Sequence, residues 1–281
     1  MLNYNQPMTT TTTLPLTNNR YQLSELLGSG GMGQVFRAQD RHTGQEVALK
    51  RMMSLDEPAT AVDHGAIASE FRLLSSLSHP HIIPALDFDF DDAGRPFYTM
   101  DYLPAAQNIV AYSREEEQSQ TIHCLRQMFA ALAYLHERQI LHRDLKPGNV
   151  LVAADHLYVL DFGLAAISAR STADAQKLQG TAAYLAPELL RGAPPSASTD
   201  IYACGVIAYE CLAGHHPFDT RSMNRLMLGV LYEETDSSSL PLHPTLCELL
   251  SRLLSRDPQK RPSAEKAFQK LTTFASQFLK I

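Results

Sequence analysis

The chain of 281 residues lacks most of the marks of several large protein classes. Cysteine is scarce: Cys124, Cys204, Cys211 and Cys247 are the only four, and no two form a C-x-x-C pair. No zinc-ligand spacing results, and the pattern fits reduced, buried thiols in a cytoplasmic protein. The N-terminus shows no basic segment followed by an apolar one, so a secretory signal is not expected. No apolar run is long enough to cross a bilayer. The longest, IYACGVIAYECLAG from Ile201 to Gly214, contains Glu210 and reads as a buried core helix. Positive charge is in deficit, 24 Lys and Arg against 30 Asp and Glu, for a net charge of −6. That balance argues against nucleic acid as the principal partner. No internal repeat is visible.

What remains is an ordinary soluble composition, 44% hydrophobic and 19% charged, in a chain long enough for one large domain or two lobes. Residues 1–19, with the threonine run Thr9 to Thr13, are expected to form a disordered polar tail. From Tyr21 the chain reads as a meander: a strand, a glycine turn, the strand QVFRAQD, the turn RHTG and the strand EVALK. Gly28, Gly30 and Gly33 give the spacing G-x-G-x-x-G, which lets backbone amides approach a phosphate. Two architectures use it. In a dinucleotide-binding fold the glycines open a helix, whereas in the other they form a hairpin that covers a nucleotide. Val35 and Phe36 follow Gly33 in a strand-like run, and no acidic residue ends a second parallel strand at the proper distance. Both points weigh against the dinucleotide fold.

The segment HGAIASEFRLLSSLSHPHII is predicted helical, with Ile67, Phe71, Leu74 and Leu77 at helical spacing and a stop after Ser78 enforced by Pro80. RPFYTMDYLP is a predicted strand ending at Pro104. SQTIHCLRQMFAALAYLHERQ then places Leu125, Met128, Leu132 and Leu135 on one helical stripe. A small β-rich half followed by a larger helical half suggests two lobes, residues 20–103 and 104–281.

Chemistry-bearing residues concentrate between His142 and Gly163. HRDLKPGNVLV holds Asp144, Lys146 and Asn149, and LYVLDFG holds Asp161. The apolar stretches Val150 to Val152 and Leu157 to Leu160 flank the turn AADH. A hairpin there brings Asn149 and Asp161 together at its open end, and an oxygen-only pair suits Mg²⁺. Asp144 precedes the hairpin and is placed to meet an incoming hydroxyl; Lys146 points to the same side if the loop is extended.

These stretches, together with GSGGMGQV, VALK, GTAAYLAPE, DIYACG and DPQKRP, resemble the serine/threonine protein kinases, and most of all their bacterial branch. The resemblance runs from about residue 20 to about residue 275, with every motif in the family's order. It implies an α+β, two-lobed kinase-like fold with a small β-rich N-lobe and a larger helical C-lobe. It also implies ATP as the nucleotide, with Mg²⁺ or Mn²⁺, and a protein substrate. Gly28, Gly30 and Gly33 would cover the phosphates, with Leu27, Ser29, Gly31 and Met32 also in the ATP-binding stretch. Lys50 would contact the phosphates and pair with Glu70. Val35 and Ala48 would roof the adenine and Leu151 floor it; Met100 would guard the back pocket, and the backbone of Asp101 and Leu103 would bond the adenine edge. Asn149 and Asp161 would hold the metal, Asp144 would orient the hydroxyl and accept its proton, and Lys146 would steady the phosphoryl group.

Other implied roles are structural. His142 and Phe162 would pack with Leu74, Glu188 would pair with Arg261, and Asp200 would tie the catalytic-loop backbone. Tyr202 stands where many relatives carry Trp, and VALK has Leu for the commoner Ile. LKPGN and Thr181 in GTAAY resemble serine/threonine rather than tyrosine kinases. Autophosphorylation is expected at Ser171 or Thr172, with Ser168 next, because Arg143 beside Asp144 would pair with a loop phosphate. A pseudokinase scaffold and a small-molecule kinase are the alternatives; Lys50, Asp144, Asn149 and Asp161 all being present disfavours the first, and the APE and GTAAY stretches disfavour the second.

Overall fold

The computed structural model describes residues 16–30, 33–51, 61–162 and 182–279. In chain order the strands are β1 (Leu16–Thr17), β2 (Tyr21–Gly30), β3 (Gly33–Asp40), β4 (Glu46–Arg51), β5 (Ala85–Phe90), β6 (Pro96–Asp101), β7 (Gln107–Asn108), β8 (Val150–Ala153) and β9 (His156–Val159). The helices are α1 (Ala61–Ser76), α2 (Ile109–Glu115), α3 (Gln118–Glu137), α4 (Pro187–Leu190), α5 (Ala197–Ala213), α6 (Met223–Tyr232), α7 (Pro244–Leu253) and α8 (Ala264–Phe278). They divide into two compact units. One ends at Phe71 and resumes over Ala85–Tyr102; the other takes Arg72–Pro84 and continues from Leu103.

The first unit is built on an antiparallel sheet in the order β1-β2-β3-β4-β6-β5. Alternation explains β3: Phe36, Ala38 and Asp40 are buried while Gln39 is exposed. The inward residues join Tyr21, Leu23, Val47, Leu49 and Phe97 in one cluster, where the Tyr21 and Phe97 rings meet edge to face at 5.6 Å. Arg20 fastens β2 to β3 through a forked contact with Asp40, Nε to Oδ1 at 3.0 Å and Nη2 to Oδ2 at 2.8 Å. Leu16 and Thr17, expected to lie in the polar tail, form strand β1. Leu16 and Thr17 pair with Gln22 and Tyr21, and Thr17 is buried. Asn18 and Asn19, at φ 55° and 52°, make the turn that allows this, since asparagine tolerates the left-handed region.

The second unit is helical around α5. Ser196 and Thr199 close a capping box at its start, and Gly214 at φ 79° ends it. Between them nearly every side chain from Thr199 to Tyr209 is buried, as the apolar run predicted. The predicted stripe of α3 is buried as well, and α3 packs against α8 and α5. A small sheet, β7-β8-β9, lies in this unit. Its β8–β9 hairpin turns on Ala154 and Asp155, at φ 47° and 61°, a pair of left-handed residues that matches strand twist. Helix α1 stops at Ser76, short of Ser78, where Ser76 Oγ caps the Leu73 carbonyl at 2.7 Å. The strand expected to reach Pro104 ends at Asp101. No helix among the described residues is long and apolar enough to cross a membrane.

Candidate active site

The glycine-rich stretch is a hairpin. Gly28 pairs with Val35, Ser29 with Gln34 and Gly30 with Gly33, and β3 continues directly from Gly33. A strand here removes the dinucleotide reading, which needs a helix. A register shift between Leu26 and Gly28 leaves Leu27 at the irregularity, 42% exposed. Gly33 at φ 128° holds a conformation that side chains rarely adopt. Gly31 and Met32 lie outside the described residues.

Further along the same sheet, β3 pairs with β4 and β4 with β6, which sets Val35 opposite Lys50 and Ala48 opposite Met100. Lys50 and Glu70 are both buried, and their side chains meet at 2.9 Å, Nζ to Oε1. A lone charge at either position would be costly; the pair is stable because each neutralises the other. Met100 is buried in the same sheet, and Asp101 at its end is exposed, with a carboxyl whose pKa partial burial raises.

In the second unit, Asp144 is 6% exposed. Its Oδ2 accepts from Lys146 Nζ at 2.7 Å and from Asn149 Nδ2 at 2.9 Å. Asn149 Nδ2 also donates to the Asp144 carbonyl at 2.8 Å. Those donations fix the amide orientation and turn Asn149 Oδ1 the other way. The loop thus presents one carboxylate, one ammonium and one amide oxygen together. The hairpin register Val150 to Val159 and the bond from Leu160 N to Asn149 O, 2.9 Å, bring Asn149 beside the residue preceding Asp161. Asp161 itself sits at φ 50°, in the left-handed region that aspartate visits more readily than most side chains. Asn149 and Asp161 offer oxygen donors only, a donor chemistry that fits a hard divalent cation.

A rigid frame holds this loop. Asp200 accepts from the backbone N–H of His142 and of Arg143, each at 2.9 Å, and lies 3.0 Å from His136 Nε2. His142 is fully buried, its ring 4.8 Å from that of Phe162. Its Nε2 faces the Leu160 carbonyl at 2.8 Å and its Nδ1 the Asp144 N–H at 3.4 Å. One nitrogen must donate and the other accept, so the ring is neutral; burial lowers its pKa in the same sense. Glu188 and Arg261 form a forked pair at 2.6 and 2.8 Å, with Arg261 also bonding the carbonyls of Ser255 and Ser198.

Leu103 and Leu151 are half-buried in the second unit. Ser168, Ser171, Thr172 and Thr181 lie outside the described residues. Two supporting residues escaped sequence reading. Tyr98 bonds Glu70, and His136 braces Asp200. His136 could have been suspected from its place six residues before His142, at the end of a helix; Tyr98 looked like any aromatic in a core strand.

The family model for the protein kinase domain matches residues 21–271. The chain is 35% identical over 275 residues to the DNA damage-responsive serine/threonine-protein kinase RqkA of Deinococcus radiodurans, covering 94% of this chain and 41% of that protein. It is 33% identical to the serine/threonine-protein kinase pkn3 of Myxococcus xanthus, over 89% of this chain and 49% of that one. It is also 32% identical to calcium/calmodulin-dependent protein kinase type 1B of Rattus norvegicus, over 89% and 74%. The chain therefore spans less than half the length of the two bacterial relatives.

Proposed function

Because the chain belongs to the protein kinase domain family, we propose that it transfers the γ-phosphoryl group of ATP to serine or threonine hydroxyls of protein substrates. The observation that carries this reading is the triad on the catalytic loop: Asp144 Oδ2 held by Lys146 and by Asn149. Hydrogen bonds from the ammonium and amide both fall on Oδ2, and no described residue donates to Oδ1. Oδ1 thus remains to orient a substrate hydroxyl and take its proton. Lys146 neutralises charge beside the reacting group. Lys50, steadied by Glu70, and the backbone of the hairpin from Gly28 to Gly33 hold the phosphates. In the first unit the proposed adenine contacts are Val35, Ala48 and Met100 with the backbone of Asp101; in the second unit they are Leu151 and the backbone of Leu103.

Mg²⁺ is the proposed ion, with Mn²⁺ as a substitute, held by Asn149 and Asp161. When bound it supplies charge neutralisation on the phosphates. The unbridged thiols support a cytoplasmic location for the domain. Autophosphorylation at Ser171, Thr172 or Ser168 belongs to the same proposal. Arg143 supports it: its Nε is buried and has no hydrogen-bond partner among the described residues.

The test is incubation with γ-labelled ATP, a divalent ion and a generic protein substrate, followed by phosphosite mapping. Label on substrate serine or threonine, lost with EDTA, is the expected result. Nucleotide binding without transfer would instead mark a scaffold, and label on a small molecule alone would mark a different kinase class. Mapping of the chain itself in the same digest decides the autophosphorylation sites.

A further inference from the structure

We infer that Tyr98 is a positioning residue for phosphoryl transfer, fixing the Lys50–Glu70 pair from beneath. The inference rests on the nucleotide role proposed for Lys50. Strand register supplies the first ground: β4 and β6 pair so that Lys50 stands directly opposite Tyr98. Direct partners in an antiparallel sheet project to one face, so the phenol must lie beside the ammonium. Lys50 Nζ is 5.7 Å from the centroid of the Tyr98 ring, within the range of cation–π attraction.

The second ground is the hydroxyl. Tyr98 OH donates to Glu70 Oε1 at 3.2 Å, the same oxygen that receives Lys50 Nζ at 2.9 Å. Tyr98 is 0% exposed, Lys50 2% and Glu70 5%. A purely apolar residue would fill this volume without needing a partner. A buried phenol needs an acceptor, and here the acceptor is the carboxylate that orients the lysine. Packing sets the phenol in turn, since the Phe71 ring of α1 lies 6.3 Å away. Tyr98 thus restricts the carboxylate, and the carboxylate restricts the ammonium. A misplaced ammonium would weaken phosphate binding and transfer together.

Tyr98→Phe keeps the ring and the packing and removes only the hydroxyl. It is expected to lower kcat/KM for ATP about 5- to 10-fold, the scale of one hydrogen bond to a charged group. Affinity for a non-hydrolysable ATP analogue should weaken in the same sense, with the thermal midpoint little changed. Tyr98→Leu, which also removes the ring face, should lose more. In a Glu70→Ala background, which has no acceptor for the phenol, Tyr98→Phe should cost less than about 2-fold. The inference is overturned if Tyr98→Phe matches the parent in turnover and analogue affinity, or if its loss is the same in the Glu70→Ala background. Lys50→Met is the control. Its loss of transfer keeps the nucleotide role of Lys50 standing whatever Tyr98 does, whereas parental activity in Lys50→Met would refute that role instead.

Discussion

At the scale of single residues, the most deeply buried ion pairs are held by several partners at once. Arg261 shows the rule most fully. Its side chain is 0% exposed, and its donors go to both oxygens of Glu188 and to the carbonyls of Ser255 and Ser198. The guanidinium also stacks on the Tyr202 ring at 4.9 Å. Removing it would leave a carboxylate and two carbonyls short of donors in a site with little water. Arg261→Ala is expected to destabilise folding by about 3–5 kcal/mol, the usual cost of breaking a buried pair from one side. Denaturant titration measures it, and a loss below about 1 kcal/mol would show that the pair is solvated in solution. The sequence made this pair legible because APE and KRP occur as motifs. Tyr98 was not legible, because its role depends on a register between distant strands that no local pattern records.

At the scale of elements, the best-read segments were those with strong periodicity or a terminator. The α3 stripe, the largely apolar α5 and the β8–β9 hairpin were expected and are present. Strand β5 went unread because Asp87 and Asp89 interrupt its apolar residues, although Leu86, Phe88 and Phe90 do alternate. Helix α2 is short, and its cap, Asn108 accepting from Ala111 N at 2.9 Å, lies in a polar stretch with no motif. Strand β1 was not legible because Asn18 and Asn19, which turn the chain into β2, continue the polar composition before them. Element packing also constrains Gly205 of α5. A Cβ there would come within 2.8 Å of Leu253 Cβ and 3.2 Å of the Leu253 carbonyl carbon on α7. Alanine gains about 1 kcal/mol of helix propensity, but overpacking against a backbone costs about 1–3 kcal/mol. Gly205→Ala is therefore expected to be net destabilising, with a lower denaturant midpoint; a stabilised variant would mean that α5 and α7 have slack between them.

At the scale of the whole molecule, stability should fall in mild acid. The ring of His81 lies 5.4 Å from that of His79 and 4.6 Å from that of His156, and its Nδ1 faces the Leu157 carbonyl at 3.2 Å. Burial, followed by the charges of His156, His79 and His123, pushes its pKa down from 6.5 to about 4. Burial lowers His79 and His123 as well, and Arg138 adds to the effect on His79. The unfolded chain therefore takes up a proton on His81 below about pH 6.5 while the folded chain does so only near pH 4. Stability is complete above that window and declines through it as pH falls. His81→Asn should flatten part of the decline, on the order of 1 kcal/mol once partial exposure is discounted. Chemical denaturation across the window checks this, and an unchanged slope would place the acid sensitivity elsewhere. The proposed role of Asp144 is to act on the substrate hydroxyl without holding the nucleotide. Measuring kcat and ATP affinity together in Asp144→Asn tests that division of labour. kcat is expected to fall at least about 100-fold, the scale of losing a positioned base, with the ATP dissociation constant within about 3-fold of the parent. Near-parental turnover, or a loss of ATP binding as large as the loss of turnover, would contradict it.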